Sequence, residues 1–326
     1  MNIDMIRAAE KRLRGVVRQT PLLGSPFLDE LAGRRVLVKA ECLQHTGSFK
    51  FRGAWSAISA IAPSERQRGV IAYSSGNHAQ GIAYAAQKCG IPAVIVMPAD
   101  APQLKIDNTR RLGAEVVTYD RYSEDRDAIG SALAEERNLH LIRPFDEPLV
   151  IAGQGTTGLE IAKQAADQGI STADVLVCCG GGGLTSGIAL ALADRAPGLR
   201  PRTVEPVGFD DVARSLAGGE IVENAPGEKS ICDAIVTPAP GRLTFPIMQT
   251  HCGAGIVVSD ADCLRAMAAA FTRLKIVLEP GGAVALAAAL FHKDTIEGDA
   301  VVAVASGGNV DAAMFMTALE TYGTGE

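Results

Sequence analysis

The chain has 326 residues, 47% hydrophobic and 21% charged, with a formal net charge of −6 at pH 7. That length exceeds one small core and points to about two domains, while an acidic balance without a basic stripe argues against nucleic-acid binding, which needs a cationic face. The longest uninterrupted apolar run, AVALAAALF at 283–291, falls far short of the roughly 20 residues that cross a bilayer.

The first residues, MNIDMIRAAEKRLRG, mix both charge signs and lack an apolar signal-peptide core, so a cytoplasmic protein is expected. Short β-rich runs then alternate with Ala-rich helical stretches, the pattern of an α/β protein with mainly parallel sheets. In chain order the reading predicts a strand at 35–41 (RVLVKAE), a strand at 69–75 (GVIAYSS), a helix at 77–90, a strand at 93–98 (AVIVMP), a helix at 105–114 and a strand at 115–120 (EVVTYD). Helices follow at 124–138 and 157–169, then a strand at 174–179 (DVLVCC) running into glycines and another helix, and a strand at 202–208 (RTVEPVG). The Pro- and Gly-rich stretch 219–247 reads as a long functional loop. A helix at 259–274, with Ser259 and Asp260 as capping candidates, and a strand at 300–306 (AVVAVAS) complete the pattern. Cys42, Cys89, Cys178, Cys179, Cys232, Cys252 and Cys263 form no CxxC pair and no set with histidine, so neither a zinc site nor a disulfide framework is signalled.

Four features carry chemistry. Lys50 in TGSFKFRG stands between Phe49 and Phe51 with Gly47 and Gly53 on either side. It is either a snorkelling surface lysine or an amine whose pKa desolvation lowers until it acts as a nucleophile. Gly180, Gly181, Gly182 and Gly183 lie between a buried strand and a helix, where backbone N–H groups can converge on a phosphate with the helix dipole behind them. The dinucleotide fingerprint fails there because Thr185 occupies its third glycine position, and no P-loop pattern occurs. In AYSSGNHAQG, a strand ends in Ser74, Ser75, Gly76, Asn77 and His78, a turn that suits a carboxylate or simply caps a helix. Ser306, at the end of the last strand, puts a hydroxyl within reach of a ring nitrogen or closes a turn. Reactive lysine, phosphate cup, carboxylate turn and strand-end hydroxyl jointly match the needs of pyridoxal 5′-phosphate.

TGSFKFRGA, SSGNHAQG, GQGTTGLEI, CGGGGLTSG, VEP, EPGGAV and SGGNVD, in this order, resemble the threonine/serine dehydratase and serine racemase group of fold-type II pyridoxal-phosphate enzymes, 3-hydroxyaspartate dehydratases included. The resemblance runs from QTPLLGS at 19–25 nearly to the end. It implies two open, twisted, mainly parallel sheets of the tryptophan synthase β-like fold. Residues 1–65 and 143–326 would form a large cofactor-binding domain and 66–142 a small mobile one. It further implies Lys50 as the Schiff-base lysine, Phe49 against the cofactor ring, Asn77 near the ring hydroxyl, Gly180 to Gly183 around the phosphate and Ser306 on the pyridine nitrogen.

The activity so implied is α,β-elimination from a β-hydroxy-α-amino acid, giving a 2-oxo acid and ammonia, with Lys50 moving the Cα proton. Ser74, Ser75, Asn77 and His78 would form the substrate carboxylate turn. Ser75 also matches the opposite-face acid/base of serine racemases, so an amino acid racemase is an alternative, and a non-catalytic metabolite-binding protein a distant one. VEPVGFDD at 204–211 resembles the group's divalent-cation site, with Glu205, Asp211 and the Phe209 carbonyl as oxygen ligands for Mg2+ or Mn2+. The family's ADG reads CDA at Cys232–Ala234, which leaves the substrate open. Arg126 aligns with an arginine that reaches a second substrate carboxylate, which would add 3-hydroxyaspartate to threonine and serine; a solvated helix arginine is the alternative. A homodimer or higher homo-oligomer is expected.

Overall fold

A computed structural model describes residues 1–74, 76–101 and 103–323. Its strands are β1 (Leu22–Gly24), β2 (Arg35–Lys39), β3 (Val70–Tyr73), β4 (Ala93–Pro98), β5 (Glu115–Tyr119), β6 (His140–Leu141), β7 (Ala173–Cys178), β8 (Leu199–Pro206), β9 (Gly253–Val258) and β10 (Ala300–Val304). The helices are α1 (Ile3–Leu13), α2 (Pro26–Ala32), α3 (Lys50–Ser59), α4 (Asn77–Cys89), α5 (Gln103–Arg111), α6 (Arg126–Glu136) and α7 (Pro148–Asp167). They continue with α8 (Gly183–Arg195), α9 (Asp211–Gly218), α10 (Thr244–His251), α11 (Asp260–Ala269), α12 (Pro280–Phe291) and α13 (Ala312–Tyr322).

Two sheets result. One has six strands in the order β1-β2-β10-β7-β8-β9, parallel except for β1, and the other has four parallel strands in the order β5-β4-β3-β6. The fold is therefore α/β, with strands such as β4, β7 and β10 buried along their whole length and correspondingly apolar. Helix α12 is apolar on every side because it lies inside the larger core rather than on its surface. Among the described residues, no helix is long and apolar enough to cross a membrane.

Each strand expected from the sequence is present, shifted by up to three residues at its ends. Strand β9 was hidden in the sequence because GAGIVV carries two glycines and its residues are only partly buried. β1 and β6 are too short to show periodicity. The helix expected at 157–169 begins nine residues earlier, at Pro148, whose fixed φ and missing N–H suit the first helical position. Glycines 153, 155 and 158 obscure it, yet they are what lets α7 pack closely: a Cβ on Gly187 of α8 would lie 2.6 Å from both the Gly155 nitrogen and the Ile151 carbonyl oxygen. The helix expected at 259–274 is α11 followed by a π-turn at Ala270–Leu274, and Ser259 caps it reciprocally with Asp262, leaving Asp260 inside the first turn.

Pairing of β2 with β10 and of β10 with β7 is parallel and nearly in register, Lys39 facing Val304 and Ala303 facing Leu176. Their carboxyl ends therefore open on one edge, where the segments holding Lys50, Ser306 and Gly180 begin. That edge is where open parallel sheets collect ligands. The end of β3, in the other sheet, closes the cleft from across.

Candidate active site

Lys50 is the first residue of α3, and the loop before it is stitched to the end of β10. Phe49 N–H donates to the Ser306 carbonyl at 3.0 Å, and Gly308 N–H donates to the Gly47 carbonyl at 2.9 Å. Two residues on, the fully buried Arg52 donates to both oxygens of Glu41 (2.8 and 2.8 Å) and both of Glu160 (2.7 and 2.9 Å). Removing one partner of such a buried pair leaves an uncompensated charge, so the network holds the start of α3 in place.

Lys50, Ser74, Asn77, His78, Phe49, Ser306, Arg126 and Gly180 to Gly183 line one cavity. Lys50 Nζ donates to the Pro144 carbonyl at 2.9 Å and stands 5.2 Å from the centre of the Phe49 ring. Burial lowers its pKa to about 8, with Cys178 and Glu279 opposing the shift. The free amine fraction therefore rises with pH. Capture of pyridoxal phosphate by the cofactor-free protein should accelerate as pH rises through about 8 and then level off. Stopped-flow absorbance checks this, and a flat profile from pH 6.5 to 9.5 would refute the lowered value.

The turn after β3 opens α4 with Gly76 as the N-cap and, among the described residues, no side chain capping it, which suits the first helical N–H groups to an anion. Ser74 Oγ accepts from Gly76 N–H at 3.2 Å. Ser75, the expected opposite-face acid/base, lies outside the described residues. His78 directs Nε2 at the Ile142 carbonyl, 3.1 Å away, leaving Nδ1 an acceptor without a partner among the described residues, and burial beside Lys50 pushes its pKa down to about 3. A neutral His78 offers no charge to a carboxylate, so its share in that turn is its backbone.

Asn77 Nδ2 donates to Glu279 Oε1 at 2.6 Å, and Asn309 Nδ2 donates to both Asn77 Oδ1 (2.6 Å) and the Thr46 carbonyl (2.8 Å). The Asn77 amide orientation is thus fixed from both ends. Burial pushes Glu279 up to about 7, against the hydrogen bond from Asn77. Cys178, beside Ser306, is pushed up to about 11 by burial and stays a thiol at neutral pH.

Arg126 lies at the cavity rim, its guanidinium 5.8 Å from the Tyr73 ring centre and 3.5 Å from Asp127. Lys105 also lines the cavity and pairs with Asp233 at 3.3 Å. Gln154, Glu279, Lys105, Phe145 and Asp233 were not singled out in the sequence. The first two sit in motifs quoted for the family resemblance, Asp233 lies inside the CDA stretch, and long-range folding alone brings Lys105 and Phe145 in.

Lys50 in a lowered-pKa setting, a glycine loop opposite and an uncommitted helix start suit a phosphorylated aldehyde and an amino acid. The sequence profile of the family described as "Pyridoxal-phosphate dependent enzyme" matches residues 13–307. The chain belongs to this pyridoxal-phosphate-dependent enzyme family. It is 43% identical to an L-threo-3-hydroxyaspartate ammonia-lyase from a Pseudomonas species, covering 97% of this chain and 98% of that one. It is 39% identical to a serine racemase from Schizosaccharomyces pombe, over 94% of each chain. The crystal structure of a T.th. threonine deaminase superposes with a TM-score of 0.90 at 43% identity, covering 95% of this chain and 99% of that one. As a member of the pyridoxal-phosphate-dependent family with ammonia-lyase relatives over nearly its whole length, the chain is a pyridoxal-phosphate-dependent lyase.

Glu205, Asp211 and Phe209 lie away from this cavity. Glu205, near the end of β8, and Asp211, the first residue of α9, are buried, and both Glu205 oxygens accept backbone N–H groups of α9, from Val212 (2.9 Å) and Ala213 (2.7 Å). Asp211 accepts from Asn224 Nδ2 at 2.5 Å through Oδ1, while its Oδ2 is buried without a partner among the described residues. Among the described residues, neither carboxylate has an ion-pair partner, and no three His, Cys, Asp or Glu side chains form a metal-binding group.

Proposed function

We propose that this enzyme converts a β-hydroxy-α-amino acid with a second carboxylate, of the 3-hydroxyaspartate class, to a 2-oxo acid and ammonia, the Cα proton and the β-hydroxyl leaving as water and the resulting enamine being hydrolysed. The observation that carries the substrate class is the pair of cations, Arg126 and Lys105, on the rim of the cavity that holds Lys50. The ammonia-lyase names of the relatives support the reaction type.

Pyridoxal phosphate supplies the electron sink for the pair left on Cα. Lys50 Nζ anchors the cofactor and, once released from it, takes the Cα proton, a task for which its lowered pKa suits it. The phosphate is assigned to Gly180, Gly181, Gly182 and Gly183, and the wall beside the ring to Phe49. The Asn77 amide, already oriented by Asn309 and Glu279, donates its remaining hydrogen towards the ring hydroxyl. Ser306 offers the pyridine nitrogen a neutral hydroxyl. The substrate α-carboxylate takes the Ser74–His78 turn and the free N–H groups of α4, and the second carboxylate takes Arg126. Racemisation needs a proton carrier on the opposite face. Ser75 is assigned that position, and the serine racemase relative supports this second reading.

The domain division proposed from sequence, 66–142 against 1–65 and 143–326, is supported by β3 to β6 forming a sheet of their own. We also assign Mg2+ or Mn2+ to Asp211, Glu205 and the Phe209 carbonyl, supported by the unpartnered Asp211 Oδ2. Chelator is expected to lower the melting temperature, and magnesium or manganese to restore it; an unchanged melting curve refutes the site. Light scattering on the same samples should read a multiple of the chain mass for the proposed homo-oligomer, and a monomer mass refutes that assignment.

A further inference from the structure

Gln154 is fully buried in α7 and lines the floor of the cavity, and among the described residues it alone has two side-chain polar atoms with no hydrogen-bond partner. Its amide lies between the two segments assigned to hold the cofactor. A Cβ on Gly183, in the glycine loop, would stand 2.9 Å from Gln154 Oε1, and one on Gly53, a turn beyond Lys50, would stand 3.1 Å from Nε2. Both glycines therefore make room for this amide. A primary amide has two donors and two acceptors, and burying all of them unpaired is unfavourable unless a ligand supplies the partner.

We propose that Gln154 completes the phosphate cup, its amide donating to the cofactor phosphate from beneath the Gly180–Gly183 loop. A half-turn of the amide exchanges Oε1 and Nε2, so the donor reaches the Gly183 side without movement of α7. A neutral donor suits this position. A cation there would push the Lys50 pKa lower still and compete with Lys50 for Glu279, whereas an amide adds a directed hydrogen bond and no charge.

The inference rests on the assignment of the glycine loop to the phosphate, and the experiment separates the two. Binding of pyridoxal phosphate and of pyridoxal, which lacks the phosphate, is titrated by absorbance for the wild type, Gln154→Leu and Gln154→Glu, with melting curves of the cofactor-free proteins and 31P spectra of the loaded ones. Gln154→Leu keeps the volume and removes the donor. Its Kd for pyridoxal phosphate is expected to rise about tenfold, the effect of one hydrogen bond to a charged group, while its Kd for pyridoxal stays within about twofold of the wild type. The bound 31P resonance should move, and the cofactor-free melting temperature should hold or rise because an unpaired buried amide is gone. Gln154→Glu, which sets a carboxylate against the phosphate, should weaken phosphate-dependent binding further.

Equal losses for both ligands in Gln154→Leu, or a wild-type ratio in both variants, would overturn the proposal. If the wild type itself failed to distinguish pyridoxal phosphate from pyridoxal, the glycine-loop assignment would fall instead.

Discussion

Lys50→Ala is expected to reduce 2-oxo acid formation by at least about 10³-fold, since a positioned acid–base group alone contributes roughly 10² to 10⁴ and this residue is the one proposed to carry the cofactor attachment. The fold should survive. The substitution removes one hydrogen bond, to the Pro144 carbonyl, a loss of about 1 kcal/mol against the 5–15 kcal/mol of a typical domain. The start of α3 remains held by Arg52 with Glu41 and Glu160. Circular dichroism and melting should therefore match the wild type while activity is lost, and an added small primary amine should restore part of it. Borohydride treatment of the loaded wild type should add the cofactor mass to the peptide containing Lys50. Attachment at Lys105, the other lysine lining the cavity, would overturn the assignment.

Arg126→Ala is expected to lower kcat/KM for 3-hydroxyaspartate by roughly 10- to 100-fold, the range of one charge-assisted hydrogen-bonded pair, and to leave threonine within about twofold. The side chain is 42% exposed, so the effect should sit towards the lower end of that range and shrink with added salt. Arg126→Lys should recover only part, because an ammonium keeps the charge without the planar fork. Parallel loss for both substrates would mean that Arg126 acts through the Tyr73 ring and the packing of α6. No loss for either would make it a surface residue.

Much of this site could be read in the sequence because its parts sit on strand-to-helix turns, where glycine and a small polar residue have few other reasons to cluster. Gly180 to Gly183 after β7, Ser306 after β10 and Lys50 between its glycines are of this kind. Gln154 and Glu279 could not be read the same way. Gln154 sits inside a helix whose glycines hid its true start, and its meaning depends on having no partner, which only packing reveals. Glu279 precedes Pro280 and looks like an ordinary helix N-cap until Asn77, 202 residues away, donates to it. Lys105 and Asp233 come from different sheet units, and only the closed cleft makes them neighbours.

Local chemistry in the sequence determined the alternation of strand and helix, the glycine loop and the lysine turn, because backbone reach and burial patterns are written in adjacent residues. The tertiary structure alone decided the parallel register that gathers β2, β7 and β10 at one edge, the desolvation that moves Lys50 and Glu279 from their ordinary pKa values, and the buried Gln154 amide, without a partner among the described residues. Each of these depends on groups far apart in the chain, and on the low-dielectric space they enclose only when packed together.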